Sequence, residues 1–272
     1  MTVGLSIIIP YYNEQEYLPA TLESLGRQNC RDFCLILVDN GSDDDSSERA
    51  RIVMQQFPDI TTHFLSCMEP GKLPALVQGL AVVATDYVAS CDADTIYPPH
   101  YVENCLAMFR SGEEGKRIVG VMAIDIYSPP RSKASVRRIR KIMLKSQLFS
   151  SQCHAGGYAQ AYRTDVLRAV GGFASPRWPF LLEDHELYQR IRKLGVIRYA
   201  PNHFCFPSDR RQDRRSVSWT WLERTVYRFA PAKAKDWVFY RFLTARFARR
   251  GLVQVKLRER NFGPDVVFYD GK

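Results

Sequence analysis

The sequence has 272 residues, of which 46% are hydrophobic and 25% charged, and its formal net charge is +9. This composition excludes a disordered or fibrous chain, and the length suffices for one large domain or for a domain with an extension. No apolar run approaches the ~18–20 residues of a membrane-spanning helix. The first apolar run, LSIIIP, has no basic segment before it, so we expect no signal peptide.

The cysteines predict a reducing compartment. The sequence has seven of them, scattered along the chain, and none forms a C-x-x-C pair with metal-binding spacing. We therefore expect a cytoplasmic protein.

The first half of the chain alternates strand and helix signals. Strands are predicted at Leu5–Pro10, Phe33–Val38, Thr61–Ser66, Tyr87–Cys91 and Ile118–Ile124, and helices at Glu16–Arg27, Glu48–Phe57, Leu73–Ala84 and Pro99–Arg110. Such alternation predicts an α/β fold, a mostly parallel Rossmann-like sheet with helices on both faces.

The pattern changes after residue 126. The segment 134–149 is predicted to be a basic helix, residues 156–173 a strand and a short helix between glycines, and a further helix starts at about Glu183. From Val217 onward the chain is rich in aromatic residues and arginine, with two helices predicted around Pro231. We expect one α/β domain over residues 1–207 and a helical, basic extension over residues 208–272.

Polar clusters follow three of the predicted strands. The first strand ends in PYYNE, the second in VDNGSDD and the fourth in DADT. Open parallel sheets bind ligands where the carboxyl ends of their strands meet. A lone D-x-D is also typical of a solvated turn, but three such clusters at one edge predict a binding site.

The residue types suit a nucleoside diphosphate. Tyr12 offers a ring for stacking on a base, and Asp39 an acceptor for an imide N–H. Asp92 suits ribose hydroxyls, and Asp94 a Mg²⁺ or Mn²⁺ ion that bridges a diphosphate. Lys72 would add positive charge near the phosphates.

Over residues 4–200 the chain resembles family 2 glycosyltransferases of the GT-A fold. The segments that carry the resemblance, in chain order, are LSIIIPYYNE, LILVDNGSDD, GKLPALVQG, DADT, GGYAQAYRTDVLRAVGGF and LLEDHELYQRIRKLG. The resemblance implies a nucleotide-sugar donor, commonly of uridine, a divalent metal at the D-x-D motif and inversion at the anomeric carbon. Two departures are Val77, where the family often has Asn, and Pro74 near the helix start.

The resemblance also implies roles for particular residues. The nucleotide-sugar site would comprise Pro10, Tyr12, Glu14, Asp39, Lys72, Asp92, Ala93, Arg210 and Arg211, and the metal site Asp94, Asp92 and His203. The pair Glu183–Asp184 matches the motif whose Asp is the usual general base. Alternatives stay open: His203 as a packed core histidine, Arg210 and Arg211 as a solvated loop, and Trp178 as acceptor platform or loop anchor.

We therefore expect a metal-dependent, inverting glycosyltransferase that uses Mg²⁺ or Mn²⁺. It would transfer a hexosyl or N-acetylhexosaminyl group from a nucleoside-diphosphate sugar, expected to be a UDP-sugar. The acceptor would be a hydroxyl of a glycan or of a lipid-linked molecule in surface polysaccharide synthesis. The alternatives are a non-catalytic glycosyltransferase-like partner at the membrane and a sugar nucleotidyltransferase. The latter is disfavoured because no G-x-G-T loop follows the first strand.

The positive charge is regional. Residues 131–145 hold seven basic and no acidic residues, and residues 208–260 hold fifteen basic against five acidic. Nucleic acid is disfavoured as a partner because the sequence shows no recognised nucleic-acid-binding module. Aromatic residues among arginines are typical of interfacial helices, which predicts peripheral contact with the inner face of an anionic cell membrane. The alternative is that the aromatic residues pack on the core and the arginines face solvent.

Overall fold

The computed structural model describes residues 3–112, 117–208 and 219–253. The strands within them are β1 (Leu5–Tyr11), β2 (Phe33–Asp39), β3 (Thr62–Ser66), β4 (Tyr87–Cys91), β5 (Thr95–Ile96), β6 (Ile118–Asp125), β7 (Ala159–Arg163) and β8 (Val196–Pro207). The helices are α1 (Leu18–Gly26), α2 (Ser46–Met54), α3 (Lys72–Ala81), α4 (Tyr101–Arg110), α5 (Lys133–Leu148), α6 (Thr164–Ala169), α7 (Glu183–Ile191), α8 (Trp221–Phe229), α9 (Lys235–Trp237) and α10 (Thr244–Arg250). A 3₁₀ turn, Ala232–Ala234, precedes α9, and a π-helical segment, Val238–Leu243, joins α9 to α10.

The strands form one sheet in the order β3-β2-β1-β4-β7-β6-β8-β5. Strands β3, β2, β1 and β4 are parallel, and β6 is parallel to β8. Strand β7 runs antiparallel between β4 and β6, and the short β5 runs antiparallel to β8. The predicted α/β class with a mostly parallel sheet is confirmed, and the reversed β7 is the main difference from a Rossmann-like sheet.

Two apolar cores cover the two faces of the sheet. In β1, Leu5, Ile7 and Ile9 face one core and Ile8 faces the other, as the two-residue period of a strand requires. Helix α3 approaches β1 closely at Gly79, where an added Cβ would lie 2.6 Å from Cγ2 of Ile8. That close packing holds α3, whose first residue is Lys72, against the sheet.

A third core joins the C-terminal region to the loop before α7. Its buried members are Trp178, Phe180, Leu181, Tyr227, Val238, Phe239, Leu243, Phe247 and Leu252. Trp178 is buried and its indole N–H donates to the carbonyl of Leu181 at 3.0 Å, so it anchors the loop. The extension is helical on both sides of Pro231, as predicted. A domain boundary after residue 207 stays a prediction.

The helices of the described ranges are too short or too polar to cross a bilayer.

Candidate active site

Strands β1, β2, β4 and β6 all end at one edge of the sheet, which we call the site edge. Tyr11 and Asp39 are paired at the ends of β1 and β2. The hydroxyl groups of Tyr11 and Ser47 lie 2.8 Å apart, and Ser47 in turn donates to Oδ2 of Asp39 at 2.7 Å. The backbone N–H of Ser42 donates to Oδ1 of Asp39 at 2.9 Å. The Asp39 carboxylate is therefore held in one orientation at the start of the turn that follows β2.

The PYYNE segment is held to the same turn. The backbone N–H groups of Asn13 and Glu14 donate to the hydroxyls of Ser42 and Ser46, at 3.1 and 2.7 Å. Asn13 has a φ of 52°, a left-handed conformation that Asn tolerates better than most residues. Tyr12, which follows the Tyr11 that pairs with Asp39, is 38% exposed, as stacking on a base requires. Pro10 lies two residues before Tyr12, paired with Val38 of β2, and the side chain of Glu14 is buried.

Asn40 is a positioning residue that the sequence analysis missed. Its side-chain amide donates to the carbonyls of Cys67 and Glu69, at 3.1 and 2.7 Å, and its Oδ1 accepts from the N–H of Gly71 at 2.7 Å. Gly71 has a φ of 127°, which strains any residue with a Cβ. Asn40 thus ties the loop before α3 to the end of β2 and sets where Lys72 begins its helix.

Lys72 reaches the first aspartate of the DADT motif. Its Nζ lies 2.5 Å from Oδ1 of Asp92 and donates to the carbonyl of Gly157 at 3.1 Å. The backbone N–H of Asp92 is 3.0 Å from the hydroxyl of Tyr97, and the carbonyl of Ala93 accepts from Thr21 at 2.8 Å. Asp92 is thus buried with a cation beside it.

The second aspartate contacts Ser208, which lies two residues before Arg210 in the sequence. Ser208 donates its hydroxyl to Oδ2 of Asp94 at 2.8 Å and its backbone N–H to the Asp94 carbonyl at 3.0 Å. Asp94 and Ser208 are both buried. Arg210 and Arg211 follow Ser208 in the sequence and lie outside the described residues.

The predicted base pair begins α7. Leu182, directly before it, has φ 66° and ψ 35°, a left-handed conformation that costs a β- or γ-branched residue free energy. An added Cβ on Gly157 would lie 3.3 Å from Nζ of Lys72 and 3.7 Å from Cβ of Asp184. Asp184 and the Lys72–Asp92 pair therefore lie close together beside Gly157.

The charge of Glu183 is opposed by its surroundings. Burial raises its pKa, and the neighbouring carboxylates of Asp184 and Asp92 raise it further, whereas Lys72 lowers it. Asp184, Lys72 and Asp92 thus act electrostatically on Glu183, and the four groups come from three separate motifs. The backbone N–H of His185 donates to Oδ1 of Asp184 at 2.9 Å, which orients that carboxylate.

His185 lies between the base pair and the C-terminal helices. Burial lowers its pKa, and its Nδ1 is 3.2 Å from the hydroxyl of Tyr227. The same hydroxyl accepts from the backbone N–H of Cys153 at 3.2 Å. The buried Lys235 donates to the carbonyl of Tyr227, and burial lowers its pKa to about 8. This hydrogen-bonded network connects the first turn of α7 to the C-terminal helices and stabilises it.

The geometry does not bring His203 to the two aspartates. It lies four residues before Pro207, the pairing partner of Thr95, which is roughly 13 Å at about 3.3 Å per residue. Its ring stacks on Tyr101 with centroids 4.8 Å apart, and burial lowers its pKa to about 3. This placement favours the packed core histidine, and His203 as a third metal ligand stays a prediction.

The fold has known counterparts among solved structures. A mannosyltransferase, PcManGT from Pyrobaculum calidifontis in complex with GDP-Man and Mn²⁺, matches with a TM-score of 0.63 at 18% identity, covering 86% of this chain and 64% of that chain. TarS 1-349 of S. aureus in complex with UDP-GlcNAc matches with a TM-score of 0.59 at 16% identity, covering 90% and 73%. The fold is that of the GT-A glycosyltransferases, as predicted.

The sequence identifies the family. The model of Glycosyl transferase family 2 matches residues 6–171, and the chain belongs to this family. An undecaprenyl-phosphate 4-deoxy-4-formamido-L-arabinose transferase of Serratia proteamaculans is 30% identical over 169 residues, 61% of this chain and 51% of that protein. The corresponding Photorhabdus laumondii transferase is 28% identical over 172 residues, with the same coverage. The chain thus spans about half the length of these curated relatives.

Proposed function

We propose that this chain transfers a sugar from a nucleoside diphosphate, with UDP as the expected nucleotide, to a lipid-linked or glycan acceptor. The observation that carries the proposal is the meeting of Lys72, Asp92, Glu183 and Asp184 around Gly157 at the site edge. Glycosyl transfer needs a donor diphosphate and an acceptor base side by side, and this cluster supplies groups for both.

The donor half follows from the ends of β1 and β2. Tyr12 would stack on the base, and Asp39, held by Ser42 and Ser47, would accept from its imide N–H. Asp92 would bind the ribose, and Lys72 would balance the diphosphate charge. Solved structures with this fold hold GDP-Man and UDP-GlcNAc, which supports a nucleotide-sugar donor.

The two aspartates fit a hard divalent cation. Asp92 and Asp94 offer buried carboxylate oxygens and Ser208 a hydroxyl oxygen, which are donor types that Mg²⁺ and Mn²⁺ prefer. The described ranges hold no group of three His, Cys, Asp or Glu suited to a metal. Donor phosphate oxygens and water would therefore complete the shell, as such cations accept. When bound, the cation would neutralise charge that develops on the leaving diphosphate.

Asp184 is the proposed base. An acceptor oxygen would attack the anomeric carbon while the bond from that carbon to the diphosphate breaks, and Asp184 would take the hydroxyl proton. His185 orients Asp184, and Lys72 and Asp92 lie opposite. One-step displacement inverts the anomeric configuration.

The relatives favour a second kind of acceptor. They are named for undecaprenyl-phosphate, and a lipid phosphate is already ionised near neutral pH, so it would need no base. The two acceptors are separable by one substitution. With a hydroxyl acceptor, Asp184→Asn should lower kcat roughly 10²–10⁴-fold, with donor Kd unchanged. With a lipid phosphate acceptor the loss should stay below about tenfold.

Donor binding tests the proposal directly. We expect thermal unfolding to shift upward with one class among UDP-, GDP- and dTDP-sugars, more strongly with Mn²⁺ than without it, because ligand bound to the native state stabilises it. Slow donor hydrolysis with Mn²⁺ should accompany binding. No shift with any nucleotide sugar contradicts the proposal, and binding without hydrolysis or transfer would favour a non-catalytic partner.

We also propose that the chain works at the cytoplasmic face of a membrane in surface polysaccharide synthesis. The relatives are named for undecaprenyl-phosphate, a lipid phosphate, which supports work at a membrane. The regional basicity of residues 131–145 and 208–260 suits an anionic surface.

A further inference from the structure

Helix α8 presents apolar side chains to solvent on one face. Trp221 is 79% exposed, Phe229 71% and Leu222 43%, and they lie within about 100° of one another around the helix. Arg224 and Arg228 flank them and are also exposed. Soluble proteins rarely expose two large aromatic rings on one short helix.

Helix α5 has a similar outer face. Leu144 is 56% exposed and Leu148 66%, and Arg137, Arg140 and Lys141 share their side of the helix within about 100°. The helix contains no acidic residue. Its exposed side therefore combines apolar side chains with positively charged ones and carries no negative charge.

The two faces adjoin each other. The side-chain amide of Gln152, just after α5, donates to the carbonyl of Arg228 at 2.7 Å. The guanidinium of Arg228 lies 5.9 Å from the ring centroid of Phe149. Burial, together with the positive charges of Lys141 and Arg228, lowers the pKa of Lys145. Cations from both helices are thus crowded together, which an anionic partner would relieve.

The inner faces of the same helices reach the site edge. From α5, Arg138 forms an ion pair with Asp125 at the end of β6. From α8, Tyr227 lies beside His185, next to Asp184. The outer surface is therefore rigidly connected to the place where the acceptor would be activated.

We propose that the α5–α8 surface, formed by Leu144, Leu148, Trp221, Leu222, Phe229 and the basic residues around them, docks on an anionic lipid bilayer. Aromatic and aliphatic side chains enter the headgroup boundary while arginine and lysine pair with lipid phosphates. A bilayer fits better than a protein partner because the surface combines protruding rings with one sign of charge. Docking on the bilayer is proposed independently of the transferase activity. The further step, that docking brings a lipid-linked acceptor to the site, rests on the proposed function.

Vesicle sedimentation tests the docking. The full chain, without nucleotide sugar, is mixed with sucrose-loaded vesicles of phosphatidylcholine alone or with about one third phosphatidylglycerol. We expect binding to the anionic vesicles, weaker binding at high salt, and little binding to neutral ones. Trp221→Ser/Phe229→Ser and, separately, Leu144→Ser/Leu148→Ser should each lower the partition coefficient at least about tenfold.

The matched control is Ile52→Ser/Leu194→Ser, which removes two exposed apolar side chains elsewhere and should bind as the parent does. Circular dichroism and donor-induced thermal shifts show that each variant is folded. The proposal is overturned if the parent ignores anionic vesicles, or if the control variant loses as much binding as the others. It is also overturned if the parent self-associates through this surface and the α8 variant is monomeric. Donor binding without vesicle binding would overturn the docking and the proposed membrane location, and would leave the proposed donor chemistry standing.

Discussion

The ammonium group of Lys72 lies 2.5 Å from Oδ1 of Asp92, and the carbonyl of Gly157 holds it from the other side at 3.1 Å. Two aspartates one residue apart repel each other unless a positive charge stands near them. Among the described residues, Lys72 supplies that charge. The first turn of α3 thereby stabilises a carboxylate at the end of β4.

Replacing Lys72 by Met should weaken both stability and donor binding. The substitution removes the ammonium group beside the buried Asp92, and because Lys72 is partly exposed we expect a loss of about 1–2 kcal/mol in the free energy of unfolding. Donor Kd should rise about tenfold or more, since a charge near the diphosphate is lost. Urea unfolding and titration calorimetry measure the two effects.

The control is Lys193→Met, which breaks the exposed pair with Asp236 and should change stability by less than about 1 kcal/mol. Equal effects of the two substitutions would show that the Lys72–Asp92 contact is an ordinary surface pair.

Gly157 should tolerate no side chain. The Cβ of Gly157→Ala would lie 3.3 Å from Nζ of Lys72, so the ammonium must move by a few tenths of an ångström and its bond to the carbonyl is disturbed. We expect kcat/KM to fall about tenfold, because small displacements of catalytic groups are costly. Gly112→Ala, where nothing lies within 4 Å of the added Cβ, should leave kinetics unchanged. A Gly157→Ala variant with the kcat/KM of the parent would show that the position of Lys72 does not affect the reaction.

The sheet and its site edge could be predicted because their signals are local. Continuous apolar runs such as residues 33–38 identify buried strands, and polar clusters directly after them identify the edge where parallel strands end. The direction of β7 could not be predicted, since the apolar pattern of a five-residue strand reads the same in a parallel or an antiparallel pairing.

Single residues with distant partners were the ones missed. Asn40 reads as part of an N-G turn, yet its partners lie 27–31 positions further along the chain. Ser208 reads as a loop residue, and its partner Asp94 is 114 positions away. His203 has a metal-ligand side chain, but stacking on Tyr101 decides its surroundings. Tertiary contacts of this kind leave no periodic trace in the sequence.

Tyr227→Phe tests whether the C-terminal helices position the base. It removes the hydroxyl that contacts His185 and Cys153, so two buried polar groups lose a partner, at about 1–3 kcal/mol of stability. We expect kcat to fall several-fold with donor KM unchanged, because Asp184 loses its orientation and the donor contacts stay. The control Tyr188→Phe loses one buried hydroxyl, which donates to the carbonyl of Ser150. A similar kcat loss in the control would mean that destabilisation alone is responsible.

His203 should make the protein sensitive to acid without serving a metal. Its folded-state pKa is about 3 against an ordinary 6.5, so the unfolded chain takes up a proton that the native state refuses. Stability from this group is therefore complete above pH 6.5 and declines as pH falls toward 3. Between pH 6.5 and 5 the loss should be about 2 kcal/mol.

His203→Phe keeps a ring against Tyr101 and removes the titrating group. Between pH 6.5 and 5, the free energy of unfolding of this variant should therefore fall by about 2 kcal/mol less than that of the parent. Urea unfolding at the two pH values measures the difference. The Mn²⁺ concentration for half-maximal donor hydrolysis should equal that of the parent, because the ring lies in the core rather than at Asp94. A large rise in that Mn²⁺ concentration would show that His203 contributes to metal binding.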